Sequence, residues 1–282
     1  MKPSLKAVKT SRCRPLMGTF VEIQAWHADE DLALEAIQAA FDAIQKVEEE
    51  MSFHDPESAL SQLNRKAFTQ PVTVSPEFYQ VLEFAQFLYL ETAGLFDLSI
   101  GSELVEWGDL PEHTFLEKGR GKGKNILLLP HNQIRFSAPL QLDLGGIAKG
   151  FAVDQAIAAL QHYTLDNGLV NAGGDLRFFG TEDPRVGFRH PALQHQSVSF
   201  TELKKKAMAT STPSKKSDTE SGSVHINGQT RAPLSKSITV SVFADTCMVA
   251  DALTKIVTLL EDQAEPILDK LSALAFITQE DL

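Results

Sequence analysis

The chain has 282 residues, 43% of them hydrophobic and 22% charged, enough to bury the core of one large or two medium globular domains. Its net charge of -11 excludes a general role on a nucleic-acid backbone or an anionic membrane surface, so any anionic ligand must be met by local positive charge. Two cysteines, Cys13 and Cys247, are too few and too far apart to suggest a disulfide framework or a thiolate metal site.

The opening residues carry basic side chains but no apolar run fit for a secretory leader. Nowhere does an apolar stretch approach the roughly 20 residues a membrane-spanning helix needs. The expectation is a soluble, cytoplasmic chain as written, or a periplasmic or membrane-associated one if a leader has been removed. Ile37, Ala40, Phe41, Ile44, Val47 and Met51 recur at three-and-four spacing and predict an amphipathic helix over 31–51. A second helix starts where Ser75 can cap and Pro76 fits the first turn, runs through Phe78, Val81, Leu82, Ala85 and Leu88, and stops at Gly94. Its end delivers Leu95, Phe96 and Asp97 into a turn.

Residues 125–129 and 133–137, joined by Pro-His-Asn, read as a hairpin leading towards Asp143, and a third helix follows over about 147–161. Residues 170–175 read as a short strand that breaks at Gly173-Gly174, residues 238–244 as a strand rich in β-branched side chains, and 247–260 as the last helix. Residues 203–236, dense in Lys, Ser and Thr, are expected to form one long polar, mobile loop. Its Lys204, Lys205, Lys206, Lys215 and Lys216 read either as a solvated face or as a dock for an acidic partner. With no repeat and no clear linker, the strands and helices are expected to mix as one α+β body of residues 1–282, undivided or in two lobes.

The sharpest chemical segment is QLDLGGIAKGF. Gly145 and Gly146 stand between a strand end and a helix start, where unpartnered amides and the helix dipole attract phosphate, and Lys149 adds a full charge one turn in. Asp143 beside them suits hydrogen bonding to a ribose or base, or holding a bridging cation. Tight strand-to-helix packing explains the same glycines equally well, and the spacing matches neither the dinucleotide fingerprint nor a P-loop. A second pair, Gly173 and Gly174, repeats the logic with Asn171 and Asp175 alongside. On the last helix Asp251, Thr254, Lys255 and Thr258 share a stripe; Asp251 reads as a magnesium ligand or as half of a surface ion pair with Lys255. His225, in a glycine-containing loop, suits a base near neutral pH, although a lone loop histidine is more often just exposed.

Taken in order, RPLMGTFVEI, MSFHDPESALSQLN, TAGLFDLSIGSELVEWG, DLGGIAKGFAVDQA, NAGGDLRFFG, AMATS and SITVSVFADTCMVADAL resemble the FAD:protein FMN transferase, or ApbE, family over nearly the whole chain. The resemblance implies an ApbE-like, tunnelling-fold-like architecture of helices on mixed or antiparallel sheets. It also implies FMN transfer from FAD to a threonine of an acceptor protein, with AMP released and magnesium assisting. By the same resemblance Met17, His54 (where tyrosine is usual), Leu95, Phe96, Asp97, Asp143, Lys149, Gly173, Gly174 and Ile226 would contact FAD. His225 and Asp251 would serve catalysis, and Gly146, through its carbonyl, Asp251 and Thr254 would serve the metal. Three departures gather on one side of that pocket. Lys255 stands at the family's threonine ligand, HINGQTRAP shortens the family's HIIDPRTGxP, and Thr212 replaces the glycine of ATSG. They point to two alternatives within the family: a flavin-binding relative that has lost transfer, and an enzyme that hydrolyses FAD to FMN and AMP.

Overall fold

Strands β1 (Val8–Leu16) and β2 (Thr19–His27) open the computed structural model as a hairpin, and helix α1 (Glu30–Met51) follows where the Asp29 carboxylate accepts the amides of Asp31 and Leu32. The structure describes residues 7–114, 119–181, 185–187, 197–199, 206–212, 225–234 and 238–279. Next come α2 (Ala59–Lys66), β3 (Val72–Thr73), α3 (Pro76–Glu91) and α4 (Gly101–Trp107). Ser75 caps α3 as expected, its hydroxyl accepting the Phe78 amide, and Gly94 closes the helix at φ +85°. The expected hairpin is β4 (Ile126–Leu129) and β5 (Gln133–Phe136), which pairs on its other edge with β3 to make a small sheet.

Helix α5 (Ala148–Gln161) leads into β6 (Asn167–Ala172) and β7 (Asp175–Gly180), then the short strands β8 (Arg185–Gly187) and β9 (Ser197–Ser199). Then come β10 (Ala207–Ser211), a small hairpin β11 (Ile226–Asn227) and β12 (Ala232–Pro233), and β13 (Ile238–Ala244). Helix α6 (Cys247–Leu260), helix α7 (Glu265–Lys270) and β14 (Leu274–Gln279) end the described chain. Within 203–236, expected to be one polar loop, residues 207–211 instead form a buried strand, and 225–234 carry the β11–β12 hairpin. Lys204, Lys205, Lys215 and Lys216 lie outside the described residues.

Seven strands, in the order β1-β2-β6-β7-β10-β13-β14, form one sheet in which every neighbouring pair is antiparallel. The pattern of β13 explains its interior place, between β10 and β14. Val240 and Val242 face the helices, Phe243 faces a second cluster with Leu176, Phe178 and Met208, and a strand covered on both sides reads as continuously apolar. Helices α1, α5 and α6 pack side by side on the first face. Phe41 and Phe151 are buried there and Phe78 and Phe136 around the small sheet, each worth about 1.5–3 kcal/mol of transfer out of water. Asn64 of α2 joins the two regions: its amide accepts the Leu142 N–H at 2.8 Å and donates to the Leu142 carbonyl at 3.0 Å, fixing the segment that leads into Gly145. Among the described residues, no helix is long and apolar enough to cross a membrane.

Candidate functional site

A cavity of about 440 Å³ opens where the β1–β2 turn, the turn after α3, the start of α5, the β11–β12 hairpin and α6 meet. Its size falls within the roughly 300–1,000 Å³ of small-molecule sites. Among the residues expected to contact a ligand or metal, Met17, His54, Leu95, Phe96, Asp97, Asp143, Gly146, Lys149, His225, Ile226 and Lys255 all line it. Gly173, Gly174, Asp251 and Thr254 are not in that lining.

One wall is apolar. Met17 sits at φ +54° beside Gly18 at +68°, the double positive φ of a two-residue hairpin turn, and its N–H donates to Glu48 at 2.9 Å. Leu95 and Phe96 are buried at the close of α3, where the Thr92 hydroxyl accepts the Phe96 amide at 3.0 Å. Asp97, expected to meet flavin, is instead occupied by the protein. Its carboxylate accepts Ser99 N–H and O–H, the Gly123 amide and, at 2.9 Å, the Arg231 guanidinium. Arg231 also donates to the Ser99 and Gly121 carbonyls, so it rivets the hairpin that carries His225 onto the turn that carries Leu95 and Phe96. Sequence reasoning missed Arg231 because its partner lies 134 positions away.

A second part of the lining is charged. Lys149 donates to Asp175 at 2.6 Å, and Lys255 donates to Asp251 one helical turn earlier. The side chains of Asp175 and Asp251 are 1% and 0% exposed, those of Lys149 and Lys255 28% and 16%. The reading of Asp251 and Lys255 as a surface pair is thereby corrected. The stripe faces α5, and helix α5 comes so close at Gly150 that a Cβ there would lie 2.7 Å from that of Asp251. Thr254 and Thr258 tolerate burial because their hydroxyls donate to the carbonyls of Asp251 and Thr254. Burial lowers an ammonium, yet Asp175 and Asp251 hold Lys149 above its ordinary value. Burial, and then repulsion from Asp251, pushes Asp175 up to about 6 against the pull of Lys149. Burial also raises Asp251, but Lys255 and Lys149 outweigh it and hold that carboxyl below its usual range.

The twin-glycine corner differs from the expected row of free amides. The Gly145 N–H donates to Asp143 at 3.1 Å, the Ala148 N–H to the Leu144 carbonyl, and the Gly150 N–H to Asp251 at 2.9 Å. Positive charge at this corner therefore comes from side chains more than from backbone. The other pair, Gly173 and Gly174, is a hairpin turn between β6 and β7 with φ of +60° and +100°. The close neighbour it admits is Thr19, whose hydroxyl would lie 2.5 Å from a Cβ on Gly173. Two hairpin turns thus dock on each other, which is packing rather than ligand approach.

His225 lies at the junction of the walls and is buried, not exposed. Its Nε2 is 2.8 Å from the Ser211 hydroxyl, while Nδ1 is buried with no hydrogen-bond partner among the described residues. Burial, and then the Lys255 charge, lower its pKa to about 3, so the ring is neutral near pH 7.

The donor set is a poor fit to a divalent cation. Both carboxylate oxygens of Asp251 are taken, by the Gly150 amide and by Lys255. The Thr254 hydroxyl is turned onto a helix carbonyl, and an ammonium cannot ligate. Among the described residues no group of three or more His, Cys, Asp or Glu is placed to hold a metal.

The profile of the ApbE family matches residues 17–277. The FAD:protein FMN transferase of Treponema pallidum is 30% identical over 189 residues, covering 60% of this chain and 51% of that protein. The match thus spans about half the length of that relative. The FAD:protein FMN transferase of Vibrio cholerae is 28% identical over 259 residues, covering 85% of this chain and 78% of that one. The solved flavin transferase ApbE from Vibrio cholerae superposes with a TM-score of 0.77 at 24% identity, covering 96% of this chain and 93% of the other, and shares the fold.

Proposed function

The chain belongs to the ApbE family, and from that premise we propose that it transfers FMN from FAD onto a threonine hydroxyl of an acceptor protein, releasing AMP. What carries the reading is one cavity with an apolar wall suited to the isoalloxazine ring and, beside it, two ammonium groups suited to the diphosphate. The acceptor oxygen bonds to the FMN-side phosphorus, the bond from that phosphorus to the bridging oxygen breaks, and AMP leaves with that oxygen. Catalysis of such a step is chiefly positioning and charge neutralisation.

The proton of the attacking hydroxyl passes to His225 Nδ1, the nitrogen without an internal partner. A pKa near 3 makes a weak base, but an anionic diphosphate beside the ring raises it towards the useful range. Lys149 and Lys255 face the phosphates, and Arg231 holds the His225 hairpin to the flavin wall. Lys149 and Lys255 supply the neutralising charge, and the residues present do not fit magnesium.

The test is incubation with FAD and a threonine-bearing acceptor, followed by intact mass and by AMP release. A mass gain equal to FMN, matched by AMP, supports transfer. Bound FAD with no AMP would overturn it in favour of a flavin-binding protein, and AMP released without acceptor would replace it with FAD hydrolysis.

A further inference from the structure

Lys255 combines burial, charge and reach. Its Nζ pairs with the Asp251 carboxylate and also donates to the Asp251 carbonyl at 3.2 Å. Its stem lines the cavity beside Gly146, where a Cβ would lie 3.9 Å from the Lys255 Cγ and Cε. Asp251 is anchored independently, since its second oxygen accepts the Gly150 amide at 2.9 Å, so the carboxylate keeps its place if the ammonium turns away. A buried ion pair is a weak device for stability, because apolar residues of the same volume often serve as well. A pair that opens on a cavity beside a second lysine, Lys149, is better explained by a ligand.

Resting on the reading that this cavity receives FAD, we propose that Lys255 is the resident cation of the site: its ammonium contacts the diphosphate of the bound dinucleotide and takes the neutralising part that a divalent ion would otherwise play. The four-carbon stem lets the point charge swing from Asp251 to the phosphates while remaining tethered. Dinucleotide binding by this chain is then independent of divalent metal.

The experiment titrates the intact chain with FAD, and separately with riboflavin, by flavin fluorescence, in EDTA and in magnesium. The wild type is expected to bind FAD equally in the two buffers, within about twofold, whereas Lys255→Met weakens FAD by about tenfold or more and leaves riboflavin unchanged. Because Lys255→Met leaves Asp251 unpaired, the double variant Asp251→Asn with Lys255→Met, its folding checked by thermal melting, is expected to show the same selective loss. Lys255→Thr frees one Asp251 oxygen and adds a hydroxyl, so its FAD binding becomes magnesium-dependent and it binds Mn2+ detectably by electron paramagnetic resonance. A wild type that binds FAD only with magnesium, or a folded double variant with wild-type FAD affinity, would overturn the proposal and leave the flavin reading standing. A wild type that binds FAD in neither buffer would sink the flavin reading itself.

Discussion

The two walls of the cavity differ in what they bury, apolar side chains in one and paired charges in the other. The apolar wall is shaped by local turns, Met17–Gly18 and the closure of α3 by Thr92 and Gly94, and then pinned by contacts to Glu48 and Arg231. The charged wall joins a pair one helical turn apart, Lys255 with Asp251, to partners 26 and 101 positions apart, Lys149 with Asp175 and Gly150 with Asp251. A locally closed wall tolerates change one residue at a time. A wall of interlocked charges is more sensitive to single changes, because a buried partner is left unpaired.

The largest expected effect lies at the seam of the two walls. His225→Ala should lower FMN transfer by about 10²–10⁴-fold while FAD still binds, and transfer rates set beside flavin fluorescence would show the split. Equal loss of binding and transfer would instead make His225 part of the flavin wall.

The next effect tests the interlock directly. Asp251→Ala strands Lys255 and the Gly150 amide and should cost about 3–5 kcal/mol in urea unfolding. A loss below about 1 kcal/mol would mean that the pair is solvated as on an ordinary helix surface.

The pH response follows from the same groups. His225 has its folded pKa near 3, below the ordinary 6.5, so its contribution to stability is complete above pH 6.5 and is lost as pH falls towards 3. Asp175 works in the other direction, its carboxyl raised from 3.8 to about 6, so its burial cost is relieved as pH falls through that interval. Relative to wild type, His225→Phe should therefore gain stability steadily from pH 6.5 downwards, at up to about 1.4 kcal/mol per pH unit. Parallel curves for the two proteins would refute the buried, neutral imidazole.

The smallest contrast separates the two glycine pairs. Gly173→Ala combines φ +60° with a 2.5 Å approach to Thr19 and should destabilise by about 1–3 kcal/mol. At Gly146 a Cβ meets nothing closer than 3.8 Å, so Gly146→Ala should leave melting within about 0.5 kcal/mol of wild type. Reversed results would exchange the roles assigned to the pairs.

That contrast also marks what could be read from sequence. Periodicity placed α1, α3, α5 and α6, the Ser75-Pro76 start was correct, and β13 was visible as a β-branched run. The twin glycines looked alike because sequence records the absence of a Cβ and not the neighbour that requires it. Strand β10 was hidden beside a lysine-rich segment, although four of its five residues are buried. The positions of Lys149, His225 and Asp143 were legible through motif resemblance. Their pairings with Asp175, Ser211 and Gly145 were set by tertiary approach or by a local turn, and spacing does not encode either. The burial of Asp251 had a faint signal in Gly150, a glycine inside a helix, which marks a close helix crossing.

Whether the charged wall reads phosphate decides how the cavity works. Affinities of the wild type for FAD and for riboflavin, measured side by side at one ionic strength, provide that reading. FAD is expected to bind tighter by at least about tenfold, with the gap closing in Lys149→Met. Equal affinities, or a gap untouched by removing that ammonium, would contradict it.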